Sequence, residues 1–91
     1  MKKILVLLLT AQFFTAGIYS QNLFEEGEKL LLNNQLSDAA VMFEGVIEQD
    51  PKNADAYLYL GYIYEVKQDY ESAITAMSKG LDVVDGKVET L

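Results

Sequence analysis

Tyr57-Leu58-Tyr59-Leu60-Gly61-Tyr62-Ile63-Tyr64, with Ala73 and Met77 following, is the stretch on which the fold turns. Tyr57, Leu60, Gly61 and Tyr64 stand at i, i+3, i+4 and i+7, the spacing of one helical face. One member of that face is glycine, which costs about 1 kcal/mol relative to alanine in a helix interior. A second helix passing close by explains it. Ala73 supplies the matching small residue, and bulky side chains one turn away fill the flanks.

The same arrangement recurs upstream. A shift of 34 residues sets Leu23 on Tyr57, Gly27 on Gly61, Leu30 on Tyr64 and Leu36 on Tyr70. It also sets Ala39 on Ala73, Phe43 on Met77 and Ile47 on Leu81. Few residues are identical, but small meets small and large apolar meets large apolar, as repeated packing requires. Asn33-Asn34-Gln35 and Lys67-Gln68-Asp69 are polar breaks within the units, and Asp50-Pro51-Lys52-Asn53 separates them. Pro51 cannot continue a helix, Asn53 and Asp69 are good N-caps, and Gly86 can end the last helix. The pattern predicts four helices, near residues 22–33, 37–49, 54–67 and 70–84.

Tyr57-x-x-Leu60-Gly61-x-x-Tyr64, then Ala73-x-x-x-Met77, resembles the tetratricopeptide repeat, with Tyr57 where tryptophan is usual. The first unit offers Gly27, Leu30, Ala39, Phe43 and Pro51 at matching offsets. Three further positions depart from the family pattern: Glu26 replaces a large apolar residue, Gly80 an alanine, and Asp85 a closing proline. The resemblance implies an all-α fold of α-α hairpins stacked as a right-handed solenoid. The implied division is residues 21–53 for the first repeat, 54–87 for the second and 88–91 for a tail. It also implies a protein- or peptide-binding scaffold, not an enzyme, with ligands held on the concave face of the first helix of each hairpin. The residues expected to pack the repeats are Leu23, Gly27, Leu30, Ala39, Phe43, Pro51, Tyr57, Leu60, Gly61, Tyr64, Ala73 and Met77.

A second stripe lies one residue along from the packing stripe. It comprises Phe24, Glu28 and Leu31 in the first unit and Leu58, Tyr62 and Glu65 in the second. Each set is spaced i, i+4, i+7 and shares a face. Neighbouring positions are about 100° apart, so these six cannot all join the hairpin core. They form the expected partner groove, apolar with two carboxylates and suited to apolar anchors and a basic residue. The alternative is that Phe24 and Leu58 pack against a neighbouring helix. Some tetratricopeptide domains clamp a partner's terminal carboxylate with Lys, Asn and Arg; Glu28 in this groove repels such a ligand.

The chain's first segment reads as an address. Met1-Lys2-Lys3 precedes an apolar run through Ile18, the order of a secretory signal peptide spanning residues 1–20. Cleavage after Ser20 is expected, with Gly17 as the fallback site, and the destination is a bacterial periplasm or the medium. An uncleaved segment would instead anchor the protein in a membrane, although a span wants about 20 predominantly apolar residues.

Composition removes several kinds of chemistry. The 91 residues contain no histidine, cysteine or tryptophan, and all 7 basic residues are lysines. Catalytic Ser-His-Asp and Cys-His arrangements are therefore excluded, as are disulfides and thiolate metal sites. The net charge of −7 opposes a phosphate-tracking nucleic-acid binder. Residues 82–89 lack the alternating ligands of a calcium loop, so neither metal nor cofactor is expected. Two repeats are few for a solenoid, which usually needs about three and a polar cap. A homo-oligomer, a structural assembly subunit, or the recruiting part of a longer enzyme or sensor are therefore the alternatives to an adaptor.

Overall fold

The structure, a computed structural model, describes residues 19–86, which contain four helices and no strand. The expected signal segment and the tail, residues 88–91, lie outside these residues, except that Tyr19 and Ser20 are helical. We label the helices α1 (described over residues 19–32), α2 (Leu36–Gln49), α3 (Ala54–Val66) and α4 (Tyr70–Val84). The last three agree with the sequence expectation to within a residue. Helix α1 already runs at Tyr19, three residues before its expected start.

The helix ends repeat as the helices do. Asn34 and Gln68, 34 positions apart, both adopt left-handed backbone conformations, with φ of 62° and 66°. At each, the chain closes the preceding helix with a pair of backbone bonds. Asn34 N–H donates to Leu31 C=O and Gln35 N–H to Leu30 C=O; Gln68 N–H donates to Glu65 C=O and Asp69 N–H to Tyr64 C=O. These satisfy carbonyls that a helix end leaves unpaired. The second helix of the hairpin then starts at once. The Asp69 carboxylate caps α4 by accepting from Ser72 N–H at 3.3 Å, whereas Gln35 makes no side-chain cap for α2. Between the units, Asn53 caps α3 by accepting from Ala56 N–H at 3.1 Å. Pro51 is exposed in that turn, so it acts by ending α2 and not by filling the core.

The core runs between the helices at the small residues. Gly27, Ala39, Phe43, Leu60, Gly61 and Ala73 are buried, while Leu23, Leu30, Tyr57, Tyr64 and Met77 are half-buried around them. A Cβ on Gly27 would lie 2.9 Å from the Phe43 ring, and one on Gly61 would lie 2.5 Å from Met77 Cγ. Each glycine is thus the point where the two helices of a hairpin meet. The hairpins join through α3, whose Ala56, Leu60 and Ile63 are buried with Ala39, Ala40, Phe43 and Val46 of α2. Tyr59 stacks on Phe43 with ring centroids 4.8 Å apart.

Candidate protein interface

Helices α1 and α3 alone line an open groove of about 760 Å³, formed by Leu31, Leu32, Asp55, Leu58, Tyr59 and Tyr62. Three of the expected groove residues, Leu31, Leu58 and Tyr62, are brought together there. Leu58 and Tyr62 remain 40% and 51% exposed, and Leu32 is 87% exposed, so an apolar surface faces solvent. Asp55 adds one carboxylate to the wall.

The other three expected groove residues are placed differently. The Phe24 ring lies 5.6 Å from Phe43, edge-on, and 5.6 Å from Tyr59. Phe24 is thus half-buried between the hairpins. The packing alternative holds for Phe24, because α3 closes the side of α1 on which the ring projects. The carboxylate of Glu28 accepts a hydrogen bond from the Tyr59 hydroxyl at 3.0 Å. This bond, then the loss of hydration and the nearby Glu28 charge, pushes the Tyr59 hydroxyl above the ordinary tyrosine pKa, because each favours the protonated hydroxyl over the phenolate. Glu65 is exposed near the end of α3 and is not among the groove-lining residues.

Leu32, Asp55 and Tyr59 were absent from the expected set. Tyr59 had a signal: Ala56, Tyr59 and Ile63 form a further apolar stripe on α3. Its counterparts on α1 are the polar Asn22, Glu25 and Lys29. A stripe present in only one repeat marks the surface that joins the repeats.

A smaller crevice of about 390 Å³ lies between α2 and α4 on another face, with Ile47, Tyr57 and Leu60 in its lining. Tyr64 and Glu44 also line it, and the Tyr64 hydroxyl donates to Glu44 at 3.1 Å. Burial first, and then this bond, raise the Tyr64 pKa. Among the described residues no group of acidic side chains is arranged to hold a metal, and no helix is long and apolar enough to cross a membrane.

Comparison with known proteins gives the same architecture. The tetratricopeptide repeat family matches residues 30–86. The peroxisomal targeting signal receptor of Komagataella phaffii is 34% identical over 61 residues, 66% of this chain and 11% of the receptor. A PEX5-related protein of Rattus norvegicus is 32% identical over 68 residues, 75% of this chain and 11% of that protein. Peroxisome biogenesis protein 5 of Arabidopsis thaliana is 30% identical over 67 residues, 74% of this chain and 9% of the plant protein. The chain thus matches about a tenth of the length of these curated relatives. No solved structure matches. The repeated helical hairpins, their glycine-mediated close approach and the family match together make the chain a member of the tetratricopeptide repeat family, a family of protein-interaction modules.

Proposed function

We propose that this protein is a non-enzymatic adaptor that binds a segment of another polypeptide in the groove between α1 and α3. The observation that carries this reading is the exposed apolar lining of Leu31, Leu32, Leu58 and Tyr62 with the Asp55 carboxylate beside it. Such a surface recognises apolar anchors at helical or extended spacing, accompanied by a basic residue. A receptor for a targeting signal among the relatives supports polypeptide recognition as the chemistry. The order of residues 1–20 supports export and cleavage after Ser20 as the setting.

Selection from a displayed random-peptide library tests the groove. Enriched peptides should carry apolar residues and a lysine or arginine. Their affinity should fall by about tenfold or more in a Leu32→Glu, Tyr62→Ala variant, since both residues are exposed and their loss leaves the core intact. Equal affinity in that variant rules out the groove. Amino-terminal sequencing of the protein recovered from an expressing bacterium tests export: Gln21 should be first, and an intact Met1-Lys2-Lys3 terminus contradicts cleavage.

A further inference from the structure

The two hairpins differ at their outer faces. In α2, Leu36, Ala40 and Ile47 form one stripe; Ala40 is buried, and Leu36 and Ile47 pack against the core shared with α3. Their counterparts on α4, 34 positions later, are Tyr70, Ile74 and Leu81, which are 58%, 66% and 59% exposed. The surface that receives a helix is therefore repeated, but among the described residues no second helix fills it.

Charge narrows the occupant. On the second hairpin Glu65 takes the place of Leu31, and Glu71 takes that of Ser37. The Ser37 hydroxyl accepts a hydrogen bond from the ammonium of Lys67, just beyond α3. Transposed by one repeat, a cation at the end of an incoming helix meets the Glu71 carboxylate instead. At 3.6 residues per turn, Asp82 also falls about a quarter-turn from the Tyr70-Ile74-Leu81 stripe, on the same flank as Glu71.

A second copy suits this face poorly. Stacked head to tail, it would bring α1 against α4, with Asn22, Glu25 and Lys29 where α3 carries Ala56, Tyr59 and Ile63. Those three α1 residues are exposed and polar, and burying unpaired charges costs several kcal/mol. Packed tail to tail, two copies would oppose Glu65 and Glu71 of each, in a chain of net charge −7.

We propose that the outer face of α4 docks an amphipathic helix of a basic partner protein, seated as α3 is seated on the first hairpin. The helix presents a small, an aromatic and a branched apolar residue at the spacing of Ala56, Tyr59 and Ile63. Lysine or arginine stands on its flanks. This surface is separate from the α1–α3 groove and does not rest on the function proposed for it.

The probe is a stapled, helical, fluorescent peptide copying residues 53–69 with Asp55→Lys and Glu65→Lys, titrated against the purified protein. Binding is expected that weakens as salt rises and falls by about tenfold or more with Ile74→Glu. Leu81→Glu should act alike, and Leu32→Glu in the groove should leave binding unchanged. Both α4 positions are exposed, and unchanged circular dichroism confirms that each variant folds. No binding to the wild type, or equal binding by both α4 variants, overturns the proposal. Loss of binding with Leu32→Glu alone also overturns it, and assigns the peptide to the groove. In sedimentation, a wild-type dimer that Ile74→Glu dissociates overturns it too, since a second copy then covers the face.

Discussion

Gly61→Ala should destabilise the protein, although alanine is the better helix former. A Cβ at this position would stand 2.5 Å from Met77 Cγ, 3.1 Å from Met77 Cε and 3.4 Å from the Ala73 carbonyl oxygen. Carbon atoms rest about 3.5–4.0 Å apart, so Met77 must move by about 1 Å. Cγ lies in the middle of the side chain, so rotating its tip does not relieve the overlap. Overpacking of this kind costs about 1–3 kcal/mol, against a gain of about 1 kcal/mol in helix propensity. The net effect is a loss of up to about 2 kcal/mol, and each kcal/mol lowers Tm by about 4–8 °C in a domain of this size. Met77→Ala alone should cost about 2 kcal/mol, the low end for truncating a methionine, since Met77 is only half-buried. In that background the overlap is gone and Gly61→Ala should stabilise by about 1 kcal/mol. Urea unfolding of the four proteins, followed by far-ultraviolet circular dichroism, measures the cycle, and a coupling of about 1–3 kcal/mol is expected. The same stabilising effect of Gly61→Ala in both backgrounds would refute the reasoning, because the two helices would then not approach closely at this glycine.

Other substitutions probe separate parts of the structure. Phe43→Ala should cost about 3–5 kcal/mol in chemical unfolding, since Phe43 is fully buried and packed on Phe24 and Tyr59. Asn53→Ala, which removes the cap on α3, should cost about 1 kcal/mol in the same assay; no loss would mean that the cap is not formed in solution. Stability should also depend on pH at the alkaline end. Tyr59 and Tyr64 are both raised above 10.0, so the folded state holds their protons more tightly than the unfolded state. Their contribution is fully present below the unfolded value and is lost as pH rises through the raised folded values. Urea midpoints should therefore fall as pH rises above about 10, and less steeply in a Tyr59→Phe, Tyr64→Phe variant.

Much of the fold was legible because packing repeats itself in residue size. Gly27 and Gly61, each facing an alanine-bearing helix, marked the hairpins, and Asn53 and Asp69 marked helix starts that the structure bears out. The conformations of Asn34 and Gln68 were less visible, because neither is glycine and the need for a left-handed residue comes from how tightly the next helix follows. The groove was legible only in part. Helical spacing placed Phe24, Glu28 and Leu31 on one face, but it could not tell how far α3 would cover that face. Tyr59 decides this: its ring takes Phe24 into the interior and its hydroxyl holds Glu28, leaving Leu31 to border the opening. Leu32 enters the groove from a position outside either stripe, at the end of α1.

The claim on which the groove and the outer face of α4 both depend is that α3 nests across the first hairpin. Nuclear Overhauser contacts among aromatic ring protons test it most directly, because Tyr59 lies 4.8 Å from Phe43 and 5.6 Å from Phe24 between ring centroids. Cross-peaks from Tyr59 to both phenylalanines are the predicted result. Cross-peaks between Phe24 and Phe43 with none to Tyr59, in a sample that remains helical, would contradict the account.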